Sequence, residues 1–225
     1  MSMPRINDPA PQFTAPSTTQ GPFSLSELKD KWVVLFSHPA DFTPVCTTEF
    51  VEFAKRYPDF QKRNTEIVGL SIDSIYAHLG WVTNIEKNFD VTIPFRVIAD
   101  RDMKVAQLYG MIQPNEADTA TVRAVFFISP EKAGDPQRIR AIIYYPLSIG
   151  RNMDEIVRVI DALQTTSANG VAAPCNWKPG EPVIIPPPTT KKAAEARKAE
   201  VEAAKGEYKD WYFSKKPLAR TAEAK

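Results

Sequence analysis

A short apolar segment near the N-terminus limits the folds available to this chain. Residues 32–37 read W-V-V-L-F-S, a continuous apolar run of strand length. Pro39 and Pro44 then interrupt any regular pattern, because proline breaks the interior of helices and strands. From Thr47 onward, apolar residues recur at helical spacing. A buried strand followed by a short turn and an amphipathic helix is typical of an α/β fold.

The alternation of strand and helix continues along the chain. A short helical turn is predicted at 24–28, before the first apolar strand. Alternation of this kind predicts a central sheet with helices on its faces. The further predicted strands are 66–72, 95–99, 122–129 and 138–145, and the predicted helices are 75–89, 103–109 and 154–163.

Composition excludes several classes of function. Hydrophobic residues make up 43% of the chain, enough for a sizeable core, and a net charge of +1 gives no reason to expect a nucleic-acid partner. No apolar run approaches the length of a membrane span, and the N-terminus lacks the apolar segment of a signal peptide. Two cysteines are too few for a disulfide framework. We therefore expect a cytoplasmic protein with no membrane partner.

The predicted helix places Cys46 in its first turn. Unpaired backbone N–H groups and the positive end of the helix dipole favour an anion there. A thiolate at this position is a nucleophile. The alternative is that Cys46 is a small buried hydrophobe, as lone cysteines in cytosolic proteins often are.

The residues around Cys46 resemble a known signature. Pro39-x-x-x-Thr43-x-x-Cys46 is similar to the active site of the peroxiredoxins, and the wider string S-H-P-x-D-F-T-P-V-C-T-T-E resembles their one-cysteine and archaeal-type branch. The resemblance implies a thioredoxin-like central sheet flanked by helices, with a C-terminal extension. It also implies a thiol-dependent peroxidase that acts in antioxidant defence without a cofactor. Hydrogen peroxide and small organic hydroperoxides would be reduced through a Cys46 sulfenic acid.

Three further residues have roles implied by the resemblance. The Thr43 hydroxyl would lie near the sulfur and the peroxide, and Pro39 would shield the site from water. Arg123 interrupts an otherwise apolar strand, and a guanidinium there needs an anion because an unpaired buried charge is costly. The matching arginine of the family pairs with thiolate and peroxide. The alternative for Arg123 is a structural ion pair.

Three other side chains are candidates for supporting roles. Glu49 resembles the carboxylate that orients an arginine in the family, although it could equally interact with the helix dipole. Arg151 matches a second arginine near the family's site. His38 could polarise the site or be a hydrogen-bonded core residue, and His78 is expected to be structural. Two histidines without metal-ligand spacing predict no metal site.

The sulfenic acid must be reduced again, and here the chain departs from its relatives. Archaeal-type members carry two cysteines in C-x-D-W-W-F-C, whereas residues 208–214 read Y-K-D-W-Y-F-S. Typical two-cysteine members carry V-C-P-A-x-W, whereas here Cys175 stands in A-A-P-C-N-W. Cys175 is therefore either a resolving residue acting from a partner subunit or a bystander. In the second case an external thiol, of thioredoxin, glutathione or another type, is the reductant.

The expected organisation is a peroxidase domain at 1–165 and an extension at 166–225. The extension comprises a loop, a short strand, an alanine-rich helix at 191–205 and an aromatic tail at 208–213. Exposed aromatic residues usually indicate docking. We expect the tail to pack on a partner subunit, the alternative being its own domain. The resemblance implies a homodimer, which could assemble into a decamer.

Two other functions are possible for a chain of the same fold. A thiol–disulfide oxidoreductase needs a C-x-x-C motif, and Cys46 is followed by T-T-E. A non-enzymatic holdase or redox sensor predicts protection of client proteins that survives Cys46→Ser. Animal one-cysteine relatives carry G-x-S-x-G before the first core strand, and residues 29–33 read K-D-K-W-V. No lipase activity is therefore expected.

Overall fold

A computed structural model describes residues 3–117 and 119–218. The chain divides into two compact units, Met1–Met153 and Asp154–Lys225. The domain boundary expected after residue 165 lies inside a helix that spans Met153–Asn169. The last part of the expected extension, residues 219–225, lies outside the described residues. Across the described part of the chain, no helix combines the length and the apolar character that crossing a bilayer requires.

The first unit is built on a seven-stranded sheet of order β2-β1-β5-β4-β3-β6-β7. Strand β3 is parallel to β4, which is parallel to β5, whereas β6 is antiparallel to β3 and to β7. This mixed sheet confirms the α/β prediction. The strands are β1 Thr14–Ser17, β2 Gly21–Ser24, β3 Trp32–Ser37, β4 Thr65–Ser71, β5 Arg96–Ala99, β6 Arg123–Ile128 and β7 Ile139–Tyr145.

Helices α1 (Pro44–Gln61), α2 (Ile75–Phe89) and α3 (Lys104–Leu108) connect the strands of this unit. The bounds of α2 follow from local chemistry. The Ser74 side chain accepts a hydrogen bond from the Ala77 N–H group, which caps the first turn. At the other end Asp90 adopts a left-handed backbone conformation, which stops the helix.

Strands β3 and β6 are buried along their whole length. This explains their continuous apolar sequences, since a strand covered on both faces does not alternate. On one face, rings from β3, α1, α2 and the residue before β5 form an aromatic cluster of Phe36, Phe50, Phe53, Trp81 and Phe95. The other face is covered by α3 and by the N-terminal segment, which contribute Val105, Ala106, Phe23 and Leu25. The helical layers fix the end of β3 and the start of α1, where the site lies.

The second unit contains helix α4 (Met153–Asn169), helix α5 (Lys191–Ala203) and a small antiparallel sheet. The sheet has the order β8-β10-β9, formed by Val183–Ile184, Phe213–Lys216 and Glu207–Asp210. The residues predicted as an aromatic tail therefore lie in a β-hairpin. Helix α5 begins at the predicted residue and is anchored by buried Val201 and Arg197. These two side chains add to the alanine-rich face predicted from the sequence.

Candidate active site

Cys46 lies where the sequence predicted it, in the first turn of α1. Pro44 is the first helical residue, and Thr43 before it has the extended backbone of an N-cap. Cys46 is fully buried. The sulfur therefore lies among the unpaired N–H groups of a helix N-terminus and away from bulk water.

Arg123 is the charged group that contacts the sulfur. Its Nη1 atom lies 3.4 Å from Cys46 Sγ and 2.8 Å from Glu49 Oε2. Its Nε and Nη2 atoms donate hydrogen bonds to the carbonyl oxygen of Leu147, at 3.0 Å and 2.9 Å. The guanidinium is therefore fixed on both sides. Strand β6 lies beside β3, which brings Arg123 to the N-terminal end of α1.

Glu49 joins the two arginines named from the sequence. Its Oε2 atom accepts a hydrogen bond from Arg151 Nη1 at 2.6 Å, and its Oε1 atom accepts one from the Arg151 backbone N–H group at 2.9 Å. Arg151 Nη2 also donates to the carbonyl oxygens of Ser37 and Ala124. Glu49 thus contacts both arginines, as an orienting carboxylate would, and its role stays a prediction.

The charges of this cluster do not cancel without the sulfur. Two guanidinium groups and one carboxylate, all buried, leave one positive charge. Burial lowers the pKa of Arg151 to about 10, and attraction to Glu49 opposes this effect. Arg151 thus keeps its charge at neutral pH. A negative charge at Cys46 would make the buried cluster neutral.

The loop between β3 and α1 carries Pro39 and Thr43, both half-buried. The Thr43 hydroxyl donates a hydrogen bond to the Ala40 carbonyl oxygen at 2.9 Å. Because its one proton is used in this bond, the Thr43 hydroxyl can act toward a substrate only as a hydrogen-bond acceptor. Phe42 has a φ of 56°, and a left-handed conformation costs a residue other than glycine roughly 1–2 kcal/mol. The loop shape at the site is held by its contacts rather than by local preference.

His38 and His78 share one carboxylate, that of Asp41. His38 Nε2 lies 2.8 Å from Asp41 Oδ1, and His78 Nδ1 lies 2.7 Å from Asp41 Oδ2. The structure thus shows His38 as a hydrogen-bonded core histidine, and its polarising role stays a prediction. The sequence analysis expected no metal site, yet donor atoms of these three residues lie within 4.8 Å of one another. It missed the group because His78 comes from a distant helix and Asp41 was not singled out.

Cys175, the second cysteine, is exposed and belongs to the second unit. Both cysteines are free thiols in this structure. Arg158 on α4 interacts electrostatically with Cys175. The resolving role of Cys175 stays a prediction, as do the catalytic roles of the residues around Cys46.

Residues 6–133 match the AhpC/TSA family, and residues 162–202 match the C-terminal domain of 1-Cys peroxiredoxin. Peroxiredoxin 2 of Caldanaerobacter subterraneus subsp. tengcongensis is 53% identical over 96% of this chain and 94% of its own.

Solved structures agree with the sequence relatives. A yeast mitochondrial 1-Cys peroxiredoxin has a TM-score of 0.83 at 42% identity, covering 96% of this chain and 100% of its own. Peroxiredoxin 6 of Arenicola marina has a TM-score of 0.84 at 34% identity, covering 96% and 99%. These neighbours confirm the thioredoxin-like fold. The chain therefore belongs to the peroxiredoxins, in their one-cysteine and archaeal-type branch, and is a thiol-dependent peroxidase.

Proposed function

We propose that Cys46 is the nucleophile of this peroxidase and that Arg123 is its electrostatic partner. The observation that carries the proposal is the 3.4 Å contact between Arg123 Nη1 and Cys46 Sγ, inside a buried cluster with one uncompensated positive charge. A fixed cation at the sulfur favours a thiolate and also offers a donor to a bound peroxide.

The oxidative step follows from this geometry. The Cys46 thiolate attacks one oxygen of the peroxide, an S–O bond forms, and the O–O bond breaks. The other oxygen leaves as hydroxide or alkoxide and takes up a proton to become water or an alcohol. Cys46 is thereby oxidised to a sulfenic acid and the peroxide is reduced by two electrons. Negative charge moves from sulfur to the leaving oxygen, where Arg123 can stabilise it.

Thr43 and Pro39 position the peroxide in this proposal. Because the Thr43 hydroxyl donates to Ala40, its oxygen would accept a hydrogen bond from the peroxide O–H group and orient the O–O bond. Pro39 would exclude water from the sulfur. Glu49 and Arg151 act through Arg123, which they hold in place.

The reductive half of the cycle is proposed to use an external thiol. One thiol condenses with the sulfenic acid, releasing water and leaving a mixed disulfide, and a second thiol reduces that disulfide. The similar yeast mitochondrial protein is described as resolved through glutathione and thioredoxin systems. Residues 208–214 lack the cysteines of the archaeal-type string. We therefore assign Cys175 as a bystander, and a cytoplasm rich in free thiols suits this cycle.

Steady-state peroxide consumption by wild type, Cys46→Ser and Cys175→Ser tests both assignments. We expect Cys46→Ser to abolish turnover and Cys175→Ser to retain it with glutathione as reductant. Turnover that survives in Cys46→Ser would remove this residue from the mechanism. If Cys175→Ser lost turnover while Cys46 was still oxidised by peroxide, Cys175 would be the resolving residue.

We propose in addition that the chain forms a homodimer, with the tip of the β9–β10 hairpin docking on a second copy. Trp211 and Tyr212 at this tip are 46% and 58% exposed and pack edge to face on each other. Burial of such rings is a common source of association energy. Sedimentation of a Trp211→Ala/Tyr212→Ala double variant should show a weaker dimer. Phe89→Ala, at another exposed aromatic residue, is the control, and equal dimerisation of all three proteins would refute the docking role.

A further inference from the structure

Three buried titratable residues link the active-site loop to two other elements. His38 follows β3, Asp41 lies in the loop before α1, and His78 lies on α2. His38 Nε2 and His78 Nδ1 contact the two oxygens of Asp41 at 2.8 Å and 2.7 Å. On its other side, His78 Nε2 lies 3.0 Å from the carbonyl oxygen of Ile98 on β5. The chain of contacts runs without interruption from the loop to the sheet.

These contacts determine how many protons the group holds. A carbonyl oxygen can only accept, so His78 Nε2 carries a proton. A neutral imidazole then has no proton on Nδ1, and that lone pair would face a carboxylate oxygen at 2.7 Å. Such a contact is repulsive unless a further proton lies between the two atoms. The pair formed by His78 and Asp41 therefore holds one proton more than a neutral histidine and a carboxylate.

His38 completes the count. Its Nδ1 atom is buried without a hydrogen-bond partner among the described residues, so a neutral ring with its proton on Nε2 satisfies the contact with Asp41. Burial lowers the pKa of His38, which agrees with the neutral form. Burial alone would raise the pKa of Asp41, but hydrogen bonds from the two histidines outweigh it and lower that pKa. The contact of 2.7 Å places the extra proton between His78 Nδ1 and Asp41 Oδ2.

Few other charges face this group. Asp73, before α2, accepts the Asp41 backbone N–H group at 2.9 Å and the Ser71 hydroxyl at 2.9 Å. Helices α1 and α2 contribute the aromatic rings of Phe50 and Trp81 against His38. Strand β5 contributes a backbone carbonyl. The negative charge of Asp73 favours retention of the shared proton. The rings of Phe50 and Trp81 exclude water that could otherwise hydrogen-bond to Asp41 in place of a histidine.

We propose that Asp41 and His78 are positioning residues for the peroxidase reaction, because their shared proton fixes the loop that carries Pro39 and Thr43 against α2 and β5. The proposal rests on the peroxidase function. Asp41 lies between the two residues that it positions, next to Phe42 with its left-handed backbone. Loss of the proton turns the contact between His78 and Asp41 into repulsion and releases the loop. The peroxide is then held less well, while the contact of Arg123 with the sulfur is unaffected.

The two amide replacements of His78 form a matched pair. The amide of His78→Asn lies near the position of Nδ1 and can still donate to Asp41. The amide of His78→Gln reaches the position of Nε2 and can still donate to Ile98, but it leaves Asp41 without its partner. We expect His78→Gln to lower kcat/KM for peroxide about 10- to 100-fold, and His78→Asn to retain most of it. Thermal unfolding of both variants checks that they fold.

Two readouts separate positioning from a general structural role. Alkylation of Cys46 by iodoacetamide should be unchanged in folded His78→Gln, because the thiolate depends on Arg123. Loss of alkylation together with peroxidase activity would overturn the proposal, as would equal activity of the two variants.

In wild type, nitrogen NMR should show both ring nitrogens of His78 bonded to, or sharing, a proton. Stoichiometric zinc found by elemental analysis of the purified protein, and lost in His78→Gln, would instead assign the group as a metal site. Full activity of Cys46→Ser would overturn Cys46 as the nucleophile, whereas the roles of Asp41 and His78 are decided by the two His78 variants.

Discussion

Replacement of Arg123 by alanine isolates the electrostatic part of the site. The guanidinium lies 3.4 Å from the sulfur and is itself almost fully buried, with 3% of its side chain exposed. An opposite charge at such range shifts an ionisation by roughly 1–3 pH units. We therefore expect the pH midpoint of Cys46 alkylation to rise by about 1–3 units in Arg123→Ala, equivalent to about 1.4–4 kcal/mol of lost thiolate stabilisation.

The count of charges sets the sign of this effect. Without Arg123, one guanidinium and one carboxylate remain, and they cancel. A thiolate would then be an extra buried negative charge rather than the completing one. The assay is the rate of iodoacetamide alkylation as a function of pH, alongside the second-order rate constant with hydrogen peroxide. Both should fall at neutral pH.

Arg123→Lys is the matched control because it keeps the charge. An ammonium group cannot contact Leu147, Glu49 and the sulfur together as the planar fork does. The midpoint of alkylation should stay near that of wild type, while the peroxide rate still falls. Thermal unfolding must accompany both variants, since breaking a buried ion pair costs about 3–5 kcal/mol. An unchanged alkylation midpoint in folded Arg123→Ala would refute the electrostatic reasoning.

Three further predictions concern the orienting carboxylate, pH and the hairpin. Glu49→Gln should lower peroxidase activity while shifting Cys46 alkylation to lower pH, because the uncompensated positive charge grows; a shift to higher pH would contradict this. Burial lowers the pKa of His38 from 6.5, so the unfolded chain binds the proton more strongly and stability falls as the pH drops below about 6.5. Denaturation at several pH values should show a shallower acid slope for His38→Gln. At Gly206 an added Cβ atom would lie 2.9 Å from Val201 and would collide with the Lys215 carbonyl oxygen. Gly206→Ala should therefore lower the free energy of unfolding by about 1–3 kcal/mol. The measurement is amide hydrogen exchange, which should become faster in β9 and β10.

Much of the first unit could be predicted because its signals are local. The helix predicted at 75–89 is observed as Ile75–Phe89, since apolar periodicity, the Ser74 cap and the left-handed Asp90 all act within a few residues. The place of Cys46 followed from Pro44 and the helical pattern after it. The hairpin of the second unit was missed because Glu207–Asp210 alternates no apolar residues. At Gly206 the Lys215 carbonyl oxygen approaches too closely for a side chain, and sequence periodicity does not indicate such a contact.

Spacing along the chain predicted the part of the site on the loop and α1, whereas Arg123 was named from an interrupted apolar strand and Arg151 from the resemblance. Cys46 and Thr43 stand one turn apart, and Glu49 follows one turn later. The anchor of Arg123 is the backbone carbonyl of Leu147, and a carbonyl has no signature in a sequence. The partnership of Asp41 with His78 likewise depends on the pairing of elements far apart in the chain.

Trapping of the oxidised sulfur tests the central claim most directly. Wild type and Cys175→Ser are each treated with one equivalent of hydrogen peroxide in the presence of dimedone, which reacts with sulfenic acids, and are analysed by non-reducing mass spectrometry. The account predicts a monomer with one dimedone adduct on Cys46 in both proteins. An unmodified Cys46, or a covalent dimer through Cys175 that replaces the adduct in wild type, would contradict it.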